Sequence, residues 1–286
     1  MTSTRSRALV AMLALVALVA AACGSNDNGT KSGSGLGSNK PAPQFTTLTT
    51  GELHVGSCLD YKPFEYFQGG SSEPTGFDVE MTDAIAQKLD LKVVWVKANF
   101  NTIFTAVAAN KFDMVAAAST ITPDRQKVVN FSDPYYNARQ ALTVNTQKTP
   151  DITSTDDLKS GDVVGVQKGT TGAKWAQDNL ASKGVQIKSF TNAPDAFTDL
   201  EAGNIAGVIN DEPSSEAEIA NRSSLKVVEP IDTGEHYGFA FSPDNPQLTV
   251  AVNRGLQDVI DDGTYEQIFK KYFPKLPVPP EYQSQS

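Results

Sequence analysis

The chain has 286 residues, of which 40% are hydrophobic and 20% are charged, and this composition is typical of globular proteins. It excludes disorder, collagen or a coiled coil for most of the chain. Asp and Glu number 33 against 24 Lys and Arg, so the net charge is -9, whereas a nucleic-acid-binding protein needs a basic surface. Only two Cys and two His are present, too few for a His/Cys metal cage in one copy, and we expect neither metal nor cofactor.

The first 22 residues predict an export signal. Arg5 and Arg7 precede an uncharged apolar run at 8–22, which is shorter than the ~20 residues of a comfortable transmembrane helix. Cys23 follows small residues at the position where a bacterial lipoprotein is cleaved and acylated, so this stretch resembles a lipobox. The alternative is a plain secreted protein in which this Cys is incidental.

Residues 23–43 predict a flexible linker behind the lipid anchor, because Gly, Ser, Asn, Asp and Lys dominate and cannot bury a core. We expect acyl chains on Cys23 to hold the exported protein at the extracytoplasmic face of the cell membrane. An acidic body is not attracted to anionic headgroups, so the acyl chains must supply the attachment. Cys58 is then left without a disulfide partner, and stability depends on the hydrophobic core.

The chain after the linker alternates strand and helix patterns. The predicted elements are a strand at 53–57, a helix at about 77–89 with apolar residues every four positions, a β-branched strand at 91–96, a helix marked by Ile103, Phe104 and Val107, and a strand at 111–117. This β-α-β-α-β order predicts a parallel sheet with right-handed crossovers.

A second unit repeats this order without a visible sequence repeat. Residues 154–157 have the pattern of a capping box that would begin a short helix. The elements that follow are a strand at 163–166, a helix at about 172–181, a strand at 185–190, a helix at 193–202 and a strand at 205–210. The tail is helical from about 248 to 260 and from 265 to 272, and a Pro-rich segment ends the predicted structure.

Parallel sheets bind ligands beyond the carboxyl ends of their strands, and the residues after these strands suit an amino acid. Arg125 can hold a carboxylate bidentately, Thr171 and Gly172 can add backbone N–H donors at a helix start, and Asp211 can pair with an ammonium group. Apolar walls would come from Tyr61, Phe64 and Phe100. Because different units would hold the two ends of the ligand, binding should favour a closed cleft.

Each of these assignments has a structural alternative. Arg125 could instead form a surface salt bridge with Asp124 or Asp133. The aromatic residues are more often core residues, above all Phe64. Asp211 could cap a helix, since acids at helix starts are common.

Seven segments, in this order and spacing, carry a resemblance to a known family. They are YKPFE (61–65), GFDVE (76–80), FDM (112–114), TITPDR (120–125), FSDPYY (131–136), GVQKGTT (165–171) and DGTY (262–265). From about residue 52 to 273 the chain resembles the bacterial extracellular solute-binding proteins, family 3, of the polar amino-acid class, which serve ABC importers. The resemblance implies an α/β, two-lobed periplasmic-binding-protein-like (type II) fold. Each lobe would be a mainly parallel sheet flanked by helices, and two hinge strands would join the lobes.

The resemblance also implies boundaries and roles. Lobe 1 would comprise 44–135 and 238–274, lobe 2 would comprise 140–232, the hinge would comprise 136–139 and 233–237, and the C-terminal tail would comprise 275–286. The ligand carboxylate would be held by Arg125, Thr120 and the backbone N–H of Thr171, the ammonium by Thr120, the carbonyl of Ala118 and Asp211, and the side chain would be flanked by Tyr61 and Phe100.

The side-chain end of the expected pocket departs from part of the family. Cys58 stands where members that select basic or amide side chains often carry an acid, and Asp60 lies two residues further on. Gln167 and Asn210 are neutral hydrogen-bonding residues at the same end. A neutral polar amino acid is therefore the first expectation for the ligand.

The resemblance leads us to expect a monomeric receptor that captures a polar amino acid by cleft closure and delivers it to a permease, without catalysis. One alternative is a dehydratase of the cyclohexadienyl-acid type, which would need a general acid or base such as Asp60 or Glu65. Another is a sensing module that reports its ligand to a signalling partner.

Overall fold

The computed structural model describes residues 45–284, so the predicted signal peptide, Cys23 and the whole predicted linker lie outside the described residues. The strands are β1 (Glu52–Ser57), β2 (Asp60–Tyr61), β3 (Glu65–Phe67), β4 (Pro74–Thr75), β5 (Lys92–Lys97), β6 (Met114–Val115), β7 (Asn130–Phe131), β8 (Tyr136–Asn145), β9 (Val163–Gln167), β10 (Gln186–Phe190), β11 (Gly207–Asp211), β12 (Leu225–Tyr237) and β13 (Ala240–Phe241). The helices are α1 (Phe77–Lys88), α2 (Phe100–Ala108), α3 (Pro123–Gln126), α4 (Thr171–Leu180), α5 (Ala193–Ala202), α6 (Glu212–Ile219), α7 (Pro246–Asp261) and α8 (Thr264–Tyr272).

Two five-stranded sheets organise these elements, with strand orders β5-β1-β6-β13-β7 and β10-β9-β11-β8-β12. In each sheet the first three strands are parallel and the last two are antiparallel to their neighbours. The predicted β-α-β-α-β order is therefore confirmed in both halves. We call the parts built on the first and second sheets lobe 1 and lobe 2, and the predicted two-lobed α/β fold is confirmed.

Helix α1 shows why lobe 1 folds as the apolar spacing predicted. Phe77, Met81 and Ile85 are completely buried and lie on one face of this helix. That face packs against α7, where Gly255 allows a close approach: a Cβ atom there would lie 3.0 Å from Ile85. Burying large apolar side chains stabilises the fold by roughly 1.5–3 kcal/mol each.

The connection between the lobes is formed by the antiparallel strands β8 and β12. Their pairing begins with Tyr136 opposite Tyr237 and continues into the second sheet. At this end Phe64 packs edge-on against both tyrosine rings, with ring centroids 5.2 and 5.3 Å apart. The strands extend well beyond the predicted hinge segments 136–139 and 233–237. The lobe and hinge boundaries derived from the resemblance stay predictions.

Two local predictions were wrong. Residues 154–157 form a turn rather than a helix, because the Asp157 carboxylate accepts the backbone N–H groups of Thr153 and Ser154, both at 2.9 Å. The Pro-rich tail is also not the end of the packed structure. Val278 and Tyr282 are buried, and the Tyr282 ring lies 4.9 Å from that of Tyr265, because proline ends a helix but does not prevent apolar packing.

The strand predicted at 111–117 is reduced to Met114–Val115, although its residues are mostly buried. Among residues 45–284, no helix has the length and apolar character needed to span a bilayer.

Candidate functional site

A cavity between the lobes collects most of the residues predicted to bind a ligand. The space between its lining residues has an empty volume of about 320 Å³, part of which is open to solvent. The lining residues are Cys58, Tyr61, Glu65, Phe100, Ala117, Ala118, Thr120 and Arg125 from lobe 1, and Gln167, Thr170, Thr171 and Asp211 from lobe 2. Most of them lie in the segments at or after the carboxyl ends of the parallel strands β1, β5, β6, β9 and β11, where we predicted a ligand site.

Arg125 lies on the short helix α3 and reaches across the cleft. Its guanidinium donates hydrogen bonds to the backbone carbonyls of Thr120 (2.7 Å) and Gly169 (3.1 Å), the second of which belongs to lobe 2. It also stacks over the rings of Phe104 and Phe100, 4.5 and 5.2 Å from the ring centroids. Burial lowers the pKa of Arg125 to about 10, so the group is still positive at neutral pH.

Arg125 does not form the alternative surface salt bridge with Asp124 or Asp133. Asp124, its neighbour in sequence, pairs with Lys127 at 2.6 Å. Within residues 45–284, no carboxylate lies within salt-bridge distance of the Arg125 guanidinium, although two of its five N–H donors bond to carbonyls. The remaining donors suit a ligand carboxylate.

Asp211 ends β11 on the opposite lobe and accepts hydrogen bonds from both lobes. The Tyr61 hydroxyl donates to its Oδ2 at 2.6 Å, and the Gln140 amide donates to its Oδ1. Burial, followed by the nearby charge of Glu235, raises the pKa of Asp211 to about 6, so the carboxylate is ionised at neutral pH. Its side chain makes no capping hydrogen bond to α6, which argues against the helix-cap alternative.

Thr120 and Thr171 face each other across the cleft, and a third residue joins them. The Glu235 carboxylate accepts hydrogen bonds from the hydroxyls of Thr120 (2.7 Å) and Thr171 (2.8 Å). Sequence reasoning missed Glu235 because its segment 233–237 was interpreted only as a hinge. The available signal was the two-residue period of a strand, which puts Glu235 on the same face as the buried Tyr237.

Ala118 adopts an unusual backbone conformation, with φ of 43° in the left-handed region. Its N–H donates to the buried carboxylate of Asp78 at 2.8 Å, and the Tyr135 hydroxyl donates to the same oxygen at 2.9 Å. Burial raises the pKa of Asp78 to about 7. Left-handed geometry in a residue with a side chain costs about 1–3 kcal/mol, and the hydrogen bond to Asp78 helps to hold it.

The side-chain end of the cavity contains an acid that the sequence analysis named only for the dehydratase. Glu65 is completely buried, and its two carboxyl oxygens have no hydrogen-bond partner within the described part of the chain. It pairs with Tyr61 across β2 and β3, so both side chains lie on the same face of that sheet. Burial, then the charges of Asp78 and Asp60, raise the pKa of Glu65 well above its ordinary value.

The remaining predicted residues have different positions. Cys58, Phe100 and Gln167 line the cavity and also an adjoining mouth, whereas Asp60 lies only at the mouth. Asn210 is buried beside the cavity, and its Oδ1 lies 3.1 Å from the Tyr61 hydroxyl. Burial raises the pKa of the Cys58 thiol, which keeps it neutral.

Phe64 belongs to the aromatic core rather than to the cavity lining. Within residues 45–284, no group of three or more His, Cys, Asp or Glu side chains is arranged to hold a metal ion.

Comparison with known proteins agrees with this architecture. A probable histidine-binding protein of Campylobacter jejuni is 32% identical over 231 residues, which cover 79% of this chain and 86% of that protein. A solved structure of an ancestral arginine-binding protein bound to arginine has a TM-score of 0.74 and 36% identity, and covers 78% of this chain and 98% of its own. The ancestral amino acid-binding protein AncCDT-1, a precursor of cyclohexadienyl dehydratase, has a TM-score of 0.71 and 36% identity, and covers 78% and 95%.

Residues 53–275 match the family model described as "Bacterial extracellular solute-binding proteins, family 3". This range contains both lobes and every residue that lines the cavity. The chain therefore belongs to the bacterial extracellular solute-binding proteins, family 3.

Proposed function

We propose that this protein is a receptor that captures a polar amino acid outside the cytoplasm, delivers it to an ABC importer, and catalyses no reaction. One observation carries the proposal: a cation of lobe 1, Arg125, and an anion of lobe 2, Asp211, line the same cavity. A zwitterion matches this pair, since its carboxylate can bind the guanidinium and its ammonium can bind the carboxylate.

The acids at the side-chain end support a basic ligand. Glu65 lines the cavity without a partner among the described residues, and Asp60 lies at the mouth. Burial favours the protonated form of Glu65 as long as no cation lies beside it, and a guanidinium, ammonium or imidazolium of the ligand would stabilise its ionised form. Similar proteins are named for histidine and arginine. We therefore place basic amino acids ahead of the neutral ones that Cys58 led us to expect.

The proposed location rests on the sequence. The export signal and Cys23 support an extracytoplasmic lipoprotein, held at the membrane by acyl chains and acting as a monomer beside its permease. These residues lie outside the described structure.

The test is a ligand screen with residues 41–286, unfolded and refolded to remove any carried ligand. A ligand that binds only the native state stabilises it by about 2.7 kcal/mol at a hundred times its Kd. We expect arginine, lysine or histidine to raise the melting temperature clearly, and calorimetry to give one ligand per chain. A folded protein that responds to none of the twenty amino acids would refute the proposal.

Arg125→Ala provides the matched variant for this screen. Removing the guanidinium leaves the ligand carboxylate unpaired in a desolvated cleft, at a cost on the order of 2–5 kcal/mol of binding free energy. Lys127→Ala, an exposed residue just after the same short helix, should bind normally. A loss of less than a few-fold for Arg125→Ala would reject Arg125 as the carboxylate ligand.

A turnover assay tests the dehydratase alternative. This alternative has two grounds: one similar structure is described as the precursor of such an enzyme, and Glu65 is a buried acid. Release of product from cyclohexadienyl acids with time would contradict a binding-only function.

A further inference from the structure

Glu235 lies on β12 at the base of the cleft, where it joins the two lobes. One of its oxygens, Oε2, accepts hydrogen bonds from the hydroxyl of Thr120 in lobe 1 and from the hydroxyl of Thr171 in lobe 2. Both threonines line the cavity, whereas Glu235 lies behind them and is partly buried. Its carboxylate therefore acts on the cavity through these two hydroxyls.

Counting protons shows what the two hydroxyls can offer to a ligand. A threonine hydroxyl has one proton and two lone pairs, and here the protons of Thr120 and Thr171 both point to Glu235. The two hydroxyl oxygens are 3.4 Å apart, and neither has a second proton for the other. Both groups are thus left as hydrogen-bond acceptors, which attract an ammonium donor and repel a carbonyl oxygen.

The charges at this end of the cavity favour the same kind of ligand. The amide nitrogen of Gln140 donates to Asp211 and lies 3.4 Å from both oxygens of Glu235, so two carboxylates converge on one neutral group. Arg125 is the one cation among the residues that line the cavity. A ligand ammonium would balance the surplus of negative charge and satisfy the exposed lone pairs together.

We infer that Glu235 is a positioning residue that makes the cleft select compounds with an α-ammonium group, by orienting the hydroxyls of Thr120 and Thr171. The inference rests on the proposed function and deepens it. A 2-keto acid with the same side chain keeps the carboxylate for Arg125 but presents a carbonyl oxygen to two acceptors. The cleft rejects it because the lone pairs are then left unpaired.

The same contacts couple selection to closure. A single carboxylate oxygen bridges hydroxyls from opposite lobes, so opening the cleft separates Glu235 from at least one of them. The bridge contributes to the closed state, and its loss should appear mainly as faster ligand release.

The test compares wild type, Glu235→Gln and Asp232→Asn, using L-arginine and 5-guanidino-2-oxopentanoate, its 2-keto acid. If another amino acid gives the largest shift in the screen, that amino acid and its keto acid replace this pair. Asp232→Asn is the matched control, because it makes the same change on the same exposed strand and still accepts from the Gly234 N–H. The amide introduced by Glu235→Gln would donate to the threonine oxygens and turn their protons toward the ligand.

We expect Glu235→Gln to lose at least tenfold in affinity for the amino acid and to release it at least fivefold faster. Its affinity for the keto acid should rise or at least not fall, because the turned hydroxyl protons can donate to the keto oxygen, and the melting temperature without ligand should change little. The control should match wild type in every measurement. If Glu235→Gln did not fold, Glu235→Asp, which keeps the charge but shortens the reach, should show a smaller loss in the same direction.

Three results would overturn the inference. An equal loss for amino acid and keto acid would show a general structural role, and no change in the affinity for either would show no role. Tighter amino-acid binding by Glu235→Gln would show that the carboxylate competes with the ligand. Failure of the wild type to bind any amino acid would refute the proposed function as well, and so is distinguishable from these three.

Discussion

Burial acts in opposite directions on the two ionic residues of the cleft. It raises the pKa of Asp211 to about 6 and lowers that of Arg125 to about 10, because it disfavours the charged form of each. Hydrogen bonds from Tyr61 and Gln140 limit the rise for Asp211. Both groups stay ionised at neutral pH, and the acid is the one whose charge is lost first when the pH falls.

Ligand affinity should therefore depend on pH through Asp211. A raised pKa means that a growing fraction is protonated below about pH 6, and the protonated acid no longer pairs with the ligand ammonium. We expect a constant Kd between pH 7 and 8 and a weakening that approaches tenfold per pH unit below pH 6. Calorimetry at pH 8, 7, 6 and 5 measures this. Asp211→Asn should bind weakly at every pH in this range, and stronger wild-type binding in acid would contradict the assignment.

The first turn of α4 shows how one element shapes the site without contributing a side chain. Gly172 lies where β8 passes, and a Cβ atom there would come 2.5 Å from the Oε1 atom of Gln140. Gln140 is the amide that contacts both Asp211 and Glu235. The absence of a side chain at one position thus sets the orientation of a polar group that faces two carboxylates.

Gly172→Ala should weaken ligand binding by about tenfold, because the added methyl group displaces the Gln140 amide while helix α4 still forms. The side chain of Gln140 is flexible, so we expect the melting temperature to change by only a few degrees. The measurement is a double-mutant cycle with Gln140→Ala, in which the effect of Gly172→Ala should nearly vanish. Additive losses would show that the methyl group acts on something other than Gln140.

At the scale of the whole molecule, three sets of hydrogen bonds join the two lobes. Arg125 reaches the carbonyl of Gly169, the Tyr61 hydroxyl reaches Asp211, and Glu235 bridges Thr120 and Thr171. In each of these hydrogen bonds at least one of the two residues lines the cavity. The residues that we propose for ligand recognition are therefore also residues that join the lobes, as a cleft that closes on its ligand requires.

Tyr61→Phe should shift the molecule toward an open form, because it removes the hydrogen bond to the ionised Asp211. The aromatic ring that lines the cavity stays in place. Such a bond contributes roughly 1.5–3 kcal/mol, so we expect ligand release to become about tenfold faster or more. Stopped-flow release and small-angle scattering without ligand measure the two effects. Tyr66→Phe, on the adjacent strand, is the control, and an unchanged release rate for Tyr61→Phe would exclude this contact as a closing interaction.

The sequence by itself determined most of the local elements. Apolar residues every four positions correctly predicted α1 and α7, and alternating or β-branched runs predicted β1, β5 and β9. These patterns depend on neighbours within one or two turns or one strand, and such local information is written directly in the sequence. The order of the elements then placed Arg125, Thr171 and Asp211 at strand ends that meet in one cavity.

Only the tertiary structure decided which polar groups act together. Thr120 and Glu235 are 115 positions apart, and Tyr61 and Asp211 are 150 apart, so no local pattern links them. The same holds for Gln140, whose amide lies between two acids from different strands. A hydrogen bond forms only when the donor–acceptor distance is right to within a few tenths of an ångström. The packing of the two lobes sets these distances, whereas the spacing of residues along the chain does not.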